Sequence, residues 1–227
     1  MSNEIQVLKK DMRILPFHQA AIVGILSFIS AVYILGGNLF GTTSLAAQDY
    51  FELIFPMYQY SQQVWKDIGH IPLWLPQMHG GMPLIASMNS MLLYPTELIA
   101  IHMGVTPNIF YAWDSLLHLV IAAVGGAFFL YYLGISGIGS IFGGLMYAYS
   151  GITISQIGVG THQMLRAIAL LPWLVTMVLR IFDRDIRAFY WAAIIMGLLL
   201  LTAAIQIVAF VILWFLLLKT GQNSPGL

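Results

Sequence analysis

Long apolar runs dominate this chain, and they constrain what it can fold into. Of its 227 residues, 59% are hydrophobic and only 8% are charged. Soluble domains carry about 25% charged residues, and a helix needs about 20 mostly apolar residues to cross a bilayer. The composition therefore predicts an integral, all-α polytopic membrane protein whose main partner is the lipid bilayer.

Charge and cysteine content exclude several classes of function. Lys and Arg together number nine, as do Asp and Glu, so the formal net charge is zero. A chain without a basic surplus does not indicate nucleic-acid binding. The chain has no cysteine, which excludes a disulfide framework, a thiolate nucleophile and a thiolate metal site.

Five to six transmembrane helices are predicted. The apolar runs are 16–37, 110–133, 137–156, 164–182 and 188–218. The last run would be roughly 46 Å long as one helix, whereas the hydrocarbon core is about 30 Å thick. It is therefore either one long tilted helix or two, 188–204 and 205–218. In both cases 1–227 form a single transmembrane domain with a long first outer loop, 38–109.

Basic residues predict the orientation. Three of them precede the first run: Lys9, Lys10 and Arg13. By the positive-inside rule the N-terminus is then cytoplasmic. The loop 38–109, which contains only Lys66 among Lys and Arg, lies outside. Six spans also place Lys219 inside, and five remain the alternative.

The loop 38–109 carries two predicted interfacial helices. Four of its residues follow helical spacing: Phe51, Ile54, Phe55 and Tyr58. They form an apolar face, although Pro56 must kink or end that helix. A second short helix is predicted to begin at Pro95 and to stop at Gly104, because Pro favours the first turn and Gly favours the position after the end.

A helix-packing pattern occurs in the third run. Gly139 and Gly143 form a GxxxG, and Gly144 follows directly. Small residues let helices approach closely in lipid. The pattern indicates close packing, within the chain or against another subunit.

The segment Gly69–Pro95 is not an ordinary linker. It reads GHIPLWLPQMHGGMPLIASMNSMLLYP, and its prolines and paired glycines predict one fixed irregular shape. The stretches PLWLPQMHGGMP and LLYP resemble the first extracytoplasmic loop of YfhO-like bacterial membrane proteins, which belong to the GT-C class of glycosyltransferases. The resemblance continues in GVGTHQMLRAIALLPW, residues 158–173.

The resemblance implies a location and an activity. The location is the bacterial cytoplasmic (inner) membrane. The activity is transfer of a sugar from a polyprenyl-phosphate carrier at the outer membrane face. In the GT-C class the first outer loop supplies an acidic general base, and Asp49 is the matching residue, with Glu52 one turn later. The alternative is that both acids merely favour the positive end of a helix.

Two pairs of residues on the spans are further candidates. His162 and Arg166 lie one helical turn apart, so they could bind the phosphate of the lipid-linked donor; alternatively they anchor the helix at the interface. Asp114 and His118 share a helix face, and ionisable groups inside a membrane are functional candidates. His118 could carry protons, ligate a tetrapyrrole pigment or act as a hydrogen-bonding strut.

The loop offers weaker candidates. His79, or His70, could join Asp49 or Glu52 around a divalent metal, although the chain shows no tight ligand spacing. Gln77 could hydrogen-bond sugar hydroxyls, or it could satisfy the backbone of the loop.

The chain departs from the YfhO-like pattern near its end. Members of that class are much longer, and Ala203–Gln206 stand where they often have a Gly-His-Pro-Gln-like break. The second hypothesis is therefore a shortened relative that serves as a non-catalytic accessory or scaffold subunit. Its partners would be other membrane subunits of a larger photosynthetic or respiratory complex.

Overall fold

The computed structural model describes residues 15–43, 49–87 and 90–222, which are mostly helical. The α-helices are, in chain order, α1 (Phe17–Leu39), α2 (Phe55–Ile68), α3 (Pro95–Met103), α4 (Pro107–Tyr132), α5 (Gly137–Ala148), α6 (Gly151–Val159), α7 (His162–Phe182), α8 (Ile186–Leu201) and α9 (Ile205–Gln222). A π-helical turn at Tyr50–Ile54 precedes α2. Two short antiparallel strands, β1 (Trp74–Leu75) and β2 (Met82–Pro83), form a hairpin between α2 and α3.

Three of these helices, α1, α4 and α7, are long and apolar enough to cross a membrane, among the residues described. They coincide with the predicted runs 16–37, 110–133 and 164–182. The chain is thus an α-helical protein with a membrane location. Helix α8, with 16 residues, is apolar but shorter than a full span.

Helix α4 lies at the centre of the bundle and packs against α1, α5 and α7. Small residues make this possible. A side chain at Gly144 of α5 would overlap the backbone of α4 at Ala123 and Ala127. Gly125 leaves room for the indole of Trp173 on α7, whose Nε1 donates to the Ile121 carbonyl at 2.9 Å.

The third predicted span, 137–156, is not one continuous helix. It consists of α5 with 12 residues and α6 with nine. Ser150 caps the new helix, because its side chain accepts a hydrogen bond from the Thr153 amide. The preceding residue, Tyr149, contacts α1 through its hydroxyl, which donates to the Ser27 carbonyl at 2.5 Å. The side chains at the junction therefore favour two short helices over a straight span.

The last apolar run, for which one long helix and two helices were both open, consists of two helices. Helix α8 ends at Leu201 and α9 begins at Ile205. Between them Ala203 has a positive φ of 60°. The Thr202 hydroxyl donates to the Leu199 carbonyl at 2.7 Å and accepts from the Ala204 amide at 3.3 Å. The break is thus stabilised by local hydrogen bonds.

We call the π-helical turn, α2, the hairpin and α3 the cap. The cap covers the end of the bundle at which α1 ends and α4 begins, because the Tyr50 hydroxyl donates to Asn108 at 2.7 Å and the Tyr58 hydroxyl to the Val105 carbonyl at 3.0 Å. Helix α3 confirms the predicted start at Pro95 and stop at Gly104, which has a φ of 69°.

The first cap helix buries a different set of residues from the set that the sequence predicted. The π-helical turn has a wider repeat than an α-helix, so Tyr50 is fully buried while Phe51 is 46% exposed. Pro56 lies in the first turn of α2, where its missing N–H costs no helical hydrogen bond. The apolar face is therefore centred on Tyr50, Ile54 and Tyr58.

Candidate functional site

A wholly buried arginine joins the cap to the bundle. Arg166, one turn into α7, donates from Nε to Asp114 Oδ2 on α4 at 2.8 Å and from Nη1 to Glu97 Oε2 on α3 at 3.0 Å. The exposed fractions of the three residues are 0%, 3% and 1%. We call these residues the Arg166 cluster. It connects the consecutive helices α3 and α4 to α7, since Arg166 lies 52 residues from Asp114 and 69 from Glu97 in the sequence.

Neighbouring side chains donate further hydrogen bonds to both carboxylates. Thr96 donates to Asp114 Oδ1 at 2.7 Å, and the Tyr111 hydroxyl donates to Glu97 Oε1 at 3.2 Å. The guanidinium carbon of Arg166 lies 4.5 Å from the centre of the Tyr94 ring, which adds a cation–π contact. Both carboxylates are therefore well satisfied, as buried ionic groups must be.

His118 is engaged at both ring nitrogens. Its Nδ1 lies 2.8 Å from the Asp114 carbonyl and its Nε2 lies 2.9 Å from the Tyr94 hydroxyl. Since a carbonyl can only accept, Nδ1 carries the proton and Nε2 accepts from Tyr94. This geometry matches the predicted strut, and it leaves neither nitrogen open for a pigment metal.

Two nitrogens on the α7 end of the site have no hydrogen-bond partner among the described residues. They are Nη2 of Arg166 and Nε2 of His162, and both are buried. His162 packs against Tyr111 at 4.4 Å between ring centres, and its Nδ1 lies 3.1 Å from the Gly160 carbonyl. The predicted pair of His162 and Arg166 is thus close in the fold but closed to the surface.

The electrostatics of the Arg166 cluster favour one retained proton. Two carboxylates face one guanidinium, so full ionisation would leave a net negative charge in a dry site. Burial raises the pKa of Glu97 from 4.5 to about 7, against the opposing effect of Arg166. Burial also raises the pKa of the Tyr94 hydroxyl to about 12, so Tyr94 stays a neutral donor to His118.

Stability is expected to depend on pH through Glu97. The folded state binds this proton more tightly than the unfolded state, so the contribution is fully present below pH 4.5 and is lost as pH rises through 7. The unfolding temperature in detergent should therefore fall between pH 5 and pH 8. Glu97→Gln should flatten this slope, and an unchanged slope would contradict the assignment.

The cap also contains an open cleft of about 1030 Å³. It lies between α2, the end of β1 and the C-terminal end of α3. Its walls are rich in amides and aromatic rings: Gln59, Tyr60, Gln62, Gln63, Trp65, Gln77 and His102. We call it the cap cleft. Its lining is uncharged except at Lys66, so it suits a neutral, hydroxyl-rich ligand.

The side chains of the cleft differ in how they are held. Gln62 donates to the Val105 carbonyl at 2.9 Å, and Gln63 donates to Asp67 at 2.9 and 2.8 Å. Gln59 and Gln77 are exposed and make no hydrogen bond to a described residue. Their amides are therefore available to a ligand.

The other predicted site residues lie at the π-helical turn and on the hairpin. Asp49 is half-buried directly before the π-helical turn and makes no side-chain cap hydrogen bond. Glu52 is exposed on that turn, and His79 is exposed at the tip of the hairpin with a φ of 52°. Neither Asp49 nor His79 lines the cap cleft. No group of three His, Asp or Glu side chains able to hold a metal occurs among the described residues.

Sequence reasoning missed Glu97 as a site residue. It identified only the helix that begins at Pro95. The available signal was the arginine itself, because a charged side chain inside a membrane protein needs a partner. Asp114 supplies one carboxylate, and the second could have been sought among the few other acids of the chain.

The fold and the site define a helical membrane protein in which the buried Arg166 cluster connects the cap to the bundle. No protein family, curated protein or solved structure matches the chain. Its function is therefore inferred from the site and from the sequence resemblance.

Proposed function

We propose that the chain is a GT-C-like membrane protein that transfers a sugar from a polyprenyl-phosphate carrier, with the cap cleft as its saccharide site. The cap cleft is the observation that carries this proposal. Its amides can donate to and accept from sugar hydroxyls, and the Trp65 ring offers an apolar face for a sugar ring. His102 packs against Trp65 at 3.7 Å between ring centres and steadies it.

Asp49 is the proposed general base of the transfer. Its carboxylate takes the proton of the acceptor hydroxyl while that oxygen bonds to the anomeric carbon. The bond between the anomeric carbon and the phosphate oxygen breaks, and the electron pair leaves with the polyprenyl phosphate. Its place directly before the π-helical turn that leads into α2, one wall of the cap cleft, supports this role.

The proposed topology has five to six spans in the bacterial cytoplasmic membrane. The N-terminus is cytoplasmic and the cap lies outside, where lipid-linked sugars are used. Two features support it: the break between α8 and α9 and the three arginines at 180, 184 and 187 at the opposite end from the cap.

Transfer in proteoliposomes supplied with polyprenyl-phosphate hexoses tests the proposal. Asp49→Asn should abolish transfer at unchanged protein level. The double variant Gln59→Ala/Gln77→Ala should weaken saccharide binding about tenfold, since each lost hydrogen bond contributes about 0.5–1.5 kcal/mol. Gln206→Ala, an exposed amide on α9, is the matched control. Wild-type transfer at background level would contradict the proposal.

The second candidate is a non-catalytic accessory subunit of a larger membrane complex. The burial of Arg166 favours it, since two of the guanidinium nitrogens are occupied by carboxylates. A lipid phosphate would have to displace them. If transfer is at background, the same native preparation should contain other membrane polypeptides at fixed stoichiometry.

A further inference from the structure

Both acidic residues of the turn between α7 and α8 have partners within the protein. Arg180 donates from Nε and Nη2 to Asp185 Oδ2 at 3.0 and 2.6 Å. Asp185 Oδ1 accepts from the Arg187 amide at 3.1 Å. The Tyr132 hydroxyl at the end of α4 donates to Asp183 Oδ2. Both carboxylates of the turn are thus engaged within the protein.

Two arginines of the same turn remain uncompensated. The side chains of Arg184 and Arg187 are exposed, and neither forms an ion pair with a described carboxylate. Arg184 has a φ of 65°, and its amide donates to the Ile181 carbonyl at 2.9 Å. The backbone is thereby held in a defined turn, whose three arginines outnumber its two aspartates and leave a net positive charge.

Three consecutive aromatic side chains are exposed near the start of α8. Phe189, Tyr190 and Trp191 are 60%, 67% and 59% exposed. Trp191 lies within about 8 Å of the first residue of α8 along its axis, a distance similar to the depth of the headgroup region of a bilayer. Aromatic side chains of this kind concentrate at the membrane interface.

The turn lies at the level where headgroups are found. It directly follows α7, which is long and apolar enough to cross the bilayer, and it is at the end of the bundle opposite the cap. Its position, its net positive charge and the aromatic residues beside it are complementary to a negatively charged lipid surface.

We propose that Arg184 and Arg187 form a binding site for the headgroups of anionic phospholipids. The guanidinium groups bind the lipid phosphates through paired hydrogen bonds, while Tyr190 and Trp191 pack against the adjoining glycerol and acyl region. The Arg180–Asp185 ion pair keeps the turn in shape. This site is separate from the cap cleft, so it does not depend on the proposed sugar transfer.

Native mass spectrometry of the full chain tests this proposal. The protein is purified in micelles containing equal amounts of phosphatidylglycerol and phosphatidylcholine, and the ratio of retained lipids is measured. The wild type should retain phosphatidylglycerol preferentially. Arg184→Gln/Arg187→Gln should lower that ratio, on the order of fivefold per arginine. Arg184→Lys/Arg187→Lys should keep most of it, because the charge is retained.

Lys66→Gln is the matched control, since it removes one exposed positive charge in the cap. It should leave the lipid ratio unchanged, and excess inorganic phosphate should not displace the bound lipid. An unchanged ratio in the double Gln variant would overturn the proposal. An equal loss in Lys66→Gln, or displacement by inorganic phosphate, would overturn it too.

Discussion

Replacing Arg166 with Met is expected to destabilise the folded chain by about 3–5 kcal/mol. The substitution leaves the carboxylates of Asp114 and Glu97 buried next to each other without a cation. Even where Glu97 retains a proton, the Asp114 carboxylate is left buried without its cation, and this loss of hydration and pairing disfavours the folded state. The loss should appear as a lower midpoint of unfolding in detergent, followed by circular dichroism.

Two further variants separate charge from geometry. Arg166→Lys keeps the charge but replaces the planar fork that reaches both carboxylates, so an intermediate loss is expected. The triple variant Arg166→Met/Asp114→Asn/Glu97→Gln should recover part of the stability, because no buried charge remains. Arg187→Gln, an exposed arginine, is the control and should change stability by less than about 0.5 kcal/mol. A loss in Arg166→Met no greater than in this control would refute the role of the cluster.

Gly144→Ala is expected to destabilise the contact between α4 and α5 by about 1–3 kcal/mol. The added methyl group would overlap the Ala123 carbonyl oxygen and lie 2.7 Å from the Ala127 amide nitrogen. Both are backbone atoms of α4, which cannot rotate away as the end of a side chain can. The helices must therefore separate, and the midpoint of unfolding in detergent should fall.

Gly197→Ala is the matched control for this substitution. Gly197 also lies inside a helix, but a methyl group there would meet no atom within 4 Å. Alanine has a higher helix propensity than glycine by up to about 1 kcal/mol, so this variant should be neutral or slightly more stable. Equal losses in the two variants would contradict close packing at Gly144 as the cause, because the methyl group at residue 197 meets no neighbouring atom.

The local elements of the chain were largely predictable. Pro95 and Gly104 bound α3 because proline fixes its own φ in the first turn and glycine tolerates the positive φ at which the helix ends. The length of the last apolar run left one tilted helix and two helices open, and the structure has two. The GxxxG of Gly139 and Gly143 correctly indicated close packing in α5, but the contact with the backbone of α4 falls at Gly144. Spacing along a helix does not determine which face meets a neighbour.

The site was predictable only in part. Asp114, His118 and Arg166 stood out because charged or titratable groups are rare in this chain. Their association with Glu97 was missed, because Glu97 and Arg166 lie 69 residues apart in the sequence. Asp49, Glu52 and His79 were grouped by their place in one loop, and the described residues contain no group of three such side chains able to hold a metal. The general-base role of Asp49 stays a prediction.

The sequence by itself determined that this is a helical membrane protein, because apolar runs of that length must be buried in lipid whatever their arrangement. It also determined where most helices begin and end, since proline and glycine act on the local backbone. Only the tertiary structure decided that Arg166 forms buried ion pairs between the cap and the bundle. It also decided that the amides of the cap line one cleft. Both depend on which helices lie side by side, and that is set by packing between residues far apart in the chain.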